Sequence, residues 1–115
     1  GATRGGRGTA RRRARAMTEM LLRERSTPEG LLVSVCDADV LGETFEDGSL
    51  SLTVDPDFYD GEAATEAEVE ESLAAAAVAN LVGTETVETA IEAGFIDEAN
   101  VLELEETLHA QYLRM

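Results

Sequence analysis

The chain contains no lysine and no tryptophan, has a single cysteine, and has no long apolar run. A membrane-spanning helix needs about 20 consecutive apolar residues, and no segment offers them. Cys36 cannot form an intrachain disulfide, which is typical of a reducing cytosol. Its place at the end of an apolar run favours a small buried hydrophobe over a reactive thiol. Because there are only three Phe and two Tyr, the core has to be built from Val, Leu, Ala and Ile.

Charge is distributed unevenly along the chain. Residues 1–16 carry six arginines and no acid, whereas residues 17–115 carry three arginines against 24 acidic residues, which leaves that part with a net charge of −21. An acidic, lysine-free surface holds hydration water and suits a cytoplasm of near-molar salt, where repulsion is screened within about 3 Å. The composition therefore predicts a halophilic, cytoplasmic protein and says little about its task.

Residues 1–16 contain only Gly, Ala, Thr and Arg, whose codons can be rich in G and C. We interpret them as a mis-assigned N-terminal extension that precedes a true start at Met17 or Met20. The alternative is an RNA-binding arm in which the arginines of residues 4–8 and 11–13 contact successive phosphates of the RNA backbone. In either case the segment has no apolar residue larger than Ala and is predicted to be disordered.

Residues 17–115 form one domain in which strands flank a central helical region. Alternating or continuous apolar patterns predict two hairpins and a final strand pair. The predicted strands are 20–25, 31–36, 44–46, 49–54, 101–104 and 108–113. Asp47-Gly48 is a strong hairpin turn, and Asp55–Gly61 is predicted to be a loop.

Two helices are predicted between the strands. Thr65 and Glu68 have the spacing of a capping box, and a stripe with helical periodicity extends to Asn80; its members are Val69, Leu73, Ala76, Ala77 and Asn80. Gly83 ends this helix, and Thr84 caps a second helix that stops at Gly94. The predicted fold is a two-layer α+β sandwich, with a small, mostly antiparallel sheet and an αα-hairpin on one face.

Two groups of carboxylates could hold a cation. Asp37 and Asp39 are one residue apart, and Asp55, Asp57 and Asp60 surround two aromatic residues. Neither group has the full spacing of a calcium loop. We therefore favour solvated surface for the first group and a solvated loop for the second, in which Phe58 and Tyr59 cover the sheet or the helix ends.

The segment around Gly83 resembles a helix–hairpin–helix, in which backbone N–H groups after the glycine hold a phosphate. Gly83 and Thr84 would supply that site, although Glu85 would repel a phosphate. The alternative is a plain αα-hairpin in which glycine permits close packing. Asn80 is a polar residue on an apolar stripe, so it either caps the hairpin or contacts a ligand.

The C-terminal strand carries His109 and Gln111, which alternate with Ala110 and Tyr112 and so share one face. Their donors and acceptors suit a base edge or a partner backbone, and Tyr59 or Tyr112 could stack on a base. A lone histidine cannot form a zinc site. No nucleophile elbow, phosphate loop or dinucleotide fingerprint is present, so we expect neither an enzyme nor a cofactor. The remaining alternative is a small enzyme in which His109 acts together with an Asp or Glu.

Taken together, several segments occur in the order seen in the archaeal domain of unknown function 424 family. They are 31–37, 41–45, 58–61, 79–83, 90–96 and 109–111, and the resemblance covers about residues 18–113. It implies a small two-layer α/β archaeal protein that is sometimes supposed to bind RNA or to act near translation. Asp60 stands where the family has Gly or another small residue.

The sequence and this resemblance lead to one principal expectation. We expect a non-enzymatic protein that binds RNA or a ribonucleoprotein in translation. Its predicted site residues are Asn80, Gly83, Thr84, His109, Gln111 and Tyr112. The alternative is a protein-interaction module or homodimer without nucleic acid, which uses the edge of strand 49–54.

Overall fold

The computed structural model describes residues 19–104 and 107–113. The extension 1–16 and its alternative interpretations lie outside these residues. The elements follow the order β1 (Met20–Thr27), β2 (Gly30–Asp37), β3 (Thr44–Asp47), β4 (Leu50–Thr53), α1 (Pro56–Tyr59), β5 (Glu62–Ala64), α2 (Glu66–Ala75), β6 (Ala76–Val82), α3 (Thr84–Glu92), β7 (Leu102–Glu103) and β8 (Leu108–Leu113). Single 3-10 turns occupy Ala38–Val40 and Glu98–Asn100.

Six strands form the main sheet in the order β5-β1-β2-β6-β8-β7, and β3 and β4 form a separate two-stranded ribbon. Every neighbouring pair is antiparallel except β2 and β6, which are parallel. The α+β class, the mostly antiparallel sheet and the two predicted hairpins are therefore confirmed, and the two predicted C-terminal strands pair with each other as well. The predicted loop at 55–61 instead contains the short helix α1, and β5 follows directly after it.

The predicted αα-hairpin is wrong. The capping box at Thr65 and Glu68 forms as expected, with distances of 2.8 and 3.1 Å, but α2 ends at Ala75 and the chain continues as β6. A strand buried on both faces presents apolar residues without a period of 3.6. The run from Ala76 to Val82 satisfies that pattern as well as a helical one.

The main sheet has two faces that are covered differently. The helix face packs against α2 and α3, and its core includes Val33, Val35, Leu73, Leu81 and Val87. The opposite face, which we call the hairpin face, packs at one end against α1 and the β3–β4 ribbon. There Cys36 and Val82 meet Val54 and Tyr59 in a second, smaller cluster.

Candidate nucleic-acid interface on the hairpin face

A row of four polar residues crosses the hairpin face. Arg23 of β1 is opposite Ser34 of β2, Ser34 is opposite Asn80 of β6, and Asn80 is opposite Gln111 of β8. Residues that are opposite one another on neighbouring strands share a face. At about 4.8 Å per strand, the row extends for roughly 14 Å. We refer to Arg23, Ser34, Asn80 and Gln111 as the polar row; Ser34 is only 2% exposed, so the accessible members are Arg23, Asn80 and Gln111.

The sheet register brings three of the six predicted site residues together. Asn80 and Gln111 are direct cross-strand partners, and His109 lies on the same face one row further along β8. The expectation that His109 and Gln111 share a face is therefore confirmed. Asn80 was predicted to lie on a helix. It lies instead on strand β6, which is beside β8 in the sheet and so places Asn80 next to His109 and Gln111.

The amide side chains of Asn80 and Gln111 form no hydrogen bond with the part of the chain that the structure describes. Asn80 is half-buried and Gln111 is exposed. Each amide offers two N–H donors and a carbonyl acceptor. Two neighbouring amides without protein partners are therefore available to an external ligand.

Two arginines stand at the other end of this surface. Arg23 donates from Nη1 to the carbonyl oxygen of Asp57 at 2.9 Å, and Arg25 donates from Nη2 to the same oxygen at 2.6 Å. The Arg25 guanidinium also lies 5.5 Å from the centroid of the Phe58 ring, within the range of a cation–π contact. Each guanidinium has five N–H donors, so several remain for an anion.

The hairpin face of the four central strands carries no acidic residue. Alternation along β1, β2, β6 and β8 places there Leu21, Arg23, Arg25, Leu32, Ser34, Cys36, Val78, Asn80, Val82, His109, Gln111 and Leu113. Glu24 points to the opposite face, where it accepts a hydrogen bond from Ser72 of α2 at 2.6 Å. The strands therefore add no negative charge to this face that would repel a polyanion.

His109 is held in place by the backbone. Its Nδ1 lies 3.1 Å from the carbonyl oxygen of Leu81, and the residue is half-buried. A carbonyl oxygen only accepts, so Nδ1 carries the proton in this contact, and Nε2 of the neutral ring is an acceptor. No serine or cysteine nucleophile contacts His109 in the described ranges, so the geometry presents a hydrogen-bonding group.

The N-terminus of α3, where Gly83 and Thr84 were predicted to hold a phosphate, is occupied by a side chain of the protein. Asp37, at the end of β2, accepts hydrogen bonds from the N–H groups of Glu85 at 3.0 Å and Thr86 at 2.8 Å, and from the Thr86 hydroxyl at 2.8 Å. The helix begins at Thr84, and its N-cap is Gly83. The prediction that Thr84 caps this helix is therefore wrong.

Gly83 allows this arrangement because of its conformation and its size. Its φ is +119°, and a Cβ there would lie 2.4 Å from Cγ of Asp37. Burial raises the pKa of Asp37 above its usual range, although the donors from Thr86 and Glu85 act in the opposite direction. Asp37 was interpreted from the sequence as solvated surface. In the structure it is buried, and it fills the site that an external phosphate would need.

The two tyrosines that were candidates for base stacking lie elsewhere. Tyr112 points to the helix face, where its ring meets that of Phe95 edge to face at 5.7 Å between centroids. Tyr59 is buried under the ribbon, and burial followed by the nearby Cys36 raises its pKa to about 12. The aromatic ring that contacts an arginine on this face is that of Phe58, which lies beside the guanidinium of Arg25.

The two groups of carboxylates that were considered as cation ligands have partners within the protein, since Asp37 caps α3. Asp55 accepts a hydrogen bond from the N–H of Asp57 and thereby caps α1, while Phe58 and Tyr59 pack on the sheet as expected. Within residues 19–104 and 107–113, no group of three His, Cys, Asp or Glu residues is placed to hold a metal ion. In the same ranges, no helix combines the length and hydropathy needed to cross a bilayer.

A described cleft lies beside β1, between β5 and α2. Its lining includes Glu24, Glu62, Glu68 and Glu71, and also Arg23 of the polar row. Carboxylates repel phosphate, and water-exposed carboxylates in such numbers disfavour any anionic ligand. This cleft is therefore more acidic than the hairpin face of the central strands, which suits a nucleic acid better than the cleft does.

Comparison with known proteins identifies the family. Residues 24–115 match the family described as "Protein of unknown function (DUF424)". The chain belongs to the DUF424 family. A solved structure of an uncharacterised conserved protein from Methanopyrus kandleri is similar, with a TM-score of 0.69 and 21% sequence identity over 84% of this chain and 95% of that one. At this identity the likeness concerns the fold alone. No curated protein matches the chain.

Proposed function

We propose that this DUF424 protein is a non-enzymatic RNA-binding protein whose binding surface is the hairpin face. The observation that carries the proposal concerns Arg23 and Arg25, the only arginines among the described residues. Both are anchored by a backbone carbonyl, and neither forms an ion pair with a described carboxylate. Guanidinium groups left unpaired in so acidic a chain are available to phosphates.

The polar row supports RNA over a purely electrostatic ligand. Concentrated salt weakens contacts that depend on counterion release, so binding in a halophile has to rely on hydrogen bonds to bases and sugars. Asn80 and Gln111 provide such hydrogen bonds, and His109 adds an acceptor beside them. We extend the proposal to translation because of the family resemblance. The class of RNA that copurifies with the protein tests this extension.

A matched pair of charge variants tests the surface. Asn80→Asp places a carboxylate in the polar row, whereas Asn100→Asp adds the same charge on an exposed 3-10 turn. We would purify the full chain with bound RNA from a halophilic host in about 1 M KCl, where the Debye length is about 3 Å. Both variants retain residues 1–16, so any contribution from that arm is common to them.

We expect Asn80→Asp to lose the RNA and Asn100→Asp to retain it, with ribosomal or transfer RNA enriched. Equal capture by the two variants would reject the hairpin face as the binding surface. Recovery of another RNA class would reject the link to translation.

A protein ligand is the second candidate, and exposed leucines favour it. Leu113 on β8 is 56% exposed and Leu102 on β7 is 40% exposed, and both flank the polar row. Leu50 of β4 is 43% exposed, so the edge of that strand is a further candidate for pairing with a partner or a second copy. Capture of one protein that survives ribonuclease treatment would favour this function over RNA binding.

A further inference from the structure

The polar row has a chemical pattern that distinguishes among RNA ligands. We propose that Asn80 and Gln111 read adenine in single-stranded RNA. This inference rests on the proposed function, because it specifies which RNA the hairpin face binds. It is carried by the cross-strand pairing of the two amides, their lack of protein partners and the absence of charged groups between them.

The position of the amides on a sheet favours a single strand. An A-form duplex hides its distinguishing base edges in a deep, narrow major groove. Asn and Gln side chains are short, and on a sheet surface they cannot enter that groove. Unpaired bases expose their Watson–Crick and Hoogsteen edges, and a segment laid across four strands meets phosphate-binding groups at Arg23 and base-reading groups at Gln111.

The hydrogen-bonding pattern of an amide favours adenine. A side-chain amide presents a donor beside an acceptor. Adenine offers the complementary pattern on two edges, through N6–H with N7 and through N6–H with N1. Guanine presents two acceptors, O6 and N7, on its Hoogsteen edge, which suits arginine; it offers a donor beside an acceptor only on its other edges, so the Hoogsteen edge is where an amide distinguishes adenine from guanine. The two arginines lie at the β1 end of the sheet, separated from Gln111 by β2 and β6.

Two amides side by side can therefore satisfy both edges of one adenine or one edge each of two adenines. Uracil and cytosine present such a donor–acceptor pair only on their Watson–Crick edge. In a duplex major groove, where the Watson–Crick edges are paired, an amide bound to both N6–H and N7 of adenine discriminates against the wrong base by about tenfold or more. We expect a preference for adenine over uracil and cytosine of about that size, because adenine offers the amides its Hoogsteen edge as well as its Watson–Crick edge.

Fluorescence anisotropy with labelled RNA tests this inference on the full chain. Short homopolymers of adenine, uracil and cytosine, and a mixed-sequence duplex, are titrated in about 1 M KCl, where nonspecific electrostatic contacts are screened. We expect the adenine homopolymer to bind about tenfold more tightly than the others. The double variant Asn80→Ala/Gln111→Ala should bind all single strands equally, and Asn100→Ala should keep the preference for adenine.

The outcomes separate this inference from the proposed function. Binding of all single strands with equal affinity, or tighter binding of another base or of the duplex, would overturn the adenine assignment and leave RNA binding intact. A preference for adenine that survives the double variant would also overturn it, because the reading groups would lie elsewhere. Absence of binding to every RNA would reject the proposed function itself. Circular dichroism of the double variant establishes that it is folded.

Discussion

Replacement of Asp37 by Ala should destabilise the protein strongly, because one carboxylate holds β2 to the start of α3. The substitution removes three hydrogen bonds of 2.8, 2.8 and 3.0 Å. Loss of an N-cap costs about 1–2 kcal/mol, and each buried donor left without a partner costs about 1–3 kcal/mol. Relief of the buried charge offsets part of this cost. We therefore expect a loss of roughly 2–4 kcal/mol.

Urea denaturation followed by circular dichroism in about 1 M KCl measures this loss. Asp39→Ala is the matched control, because Asp39 is exposed and two residues away; its effect should stay within about 0.5 kcal/mol. Asp37→Asn keeps one acceptor and should fall between the two. A loss of less than about 1 kcal/mol for Asp37→Ala, or equal losses for both alanine variants, would refute the role assigned to Asp37.

The pH dependence of the same comparison follows from the raised pKa of Asp37. A carboxyl group whose pKa is higher in the folded state binds its proton more tightly in the folded than in the unfolded protein, so loss of that proton destabilises the fold. The free energy of unfolding of the wild type relative to Asp37→Asn should therefore decrease as pH rises above 3.8, the ordinary value, through the raised pKa. An increase over that range would mean that the three donors outweigh burial.

Three further predictions concern other parts of the chain. Gly83→Ala should destabilise the protein by more than Gly94→Ala, since both glycines have positive φ but only at Gly83 would a Cβ meet Asp37; equal losses of stability in urea would contradict this. Burial, then Asp37 and other acids, raises the pKa of Cys36 to about 12, so the thiol should resist thiol reagents at neutral pH until urea unfolds the chain, and rapid native labelling would contradict its burial. Dilution to about 0.1 M salt lengthens the Debye length to about 10 Å and should loosen or unfold the acidic domain; an unchanged circular dichroism spectrum would refute that.

Local patterns in the sequence predicted the antiparallel hairpins well. β1 and β2, β3 and β4, and β7 and β8 are adjacent in sequence, and turn residues such as Asp47-Gly48 specify their pairing. The segment 76–82 is different, because alanine suits a helix and its burial between β2 and β8 suits a strand. Tertiary packing decides whether this segment is a helix or a strand, and that packing cannot be read from a single sequence.

The candidate site was predictable only in part, because its residues are brought together by tertiary pairing of strands that are far apart in the sequence. His109 and Gln111 share a face through simple alternation, but Asn80 joins them only because β6 pairs with β8. Asp37 and Glu85 are 48 residues apart, so no local motif indicates the cap. A buried strand that ends in Asp, together with a helix that begins after Gly without a capping side chain, was the available signal.

RNA bound on the hairpin face should contact Asn80 and Gln111 of the polar row. The most direct measurement is an NMR titration of the full, isotope-labelled chain with single-stranded RNA, which follows the side-chain amide signals of Asn80 and Gln111. Both side-chain amides should shift on addition of RNA, while the signals of α2 on the opposite face should not. Shifts confined to residues 1–16 or to the helix face, with both amides unchanged, would contradict it.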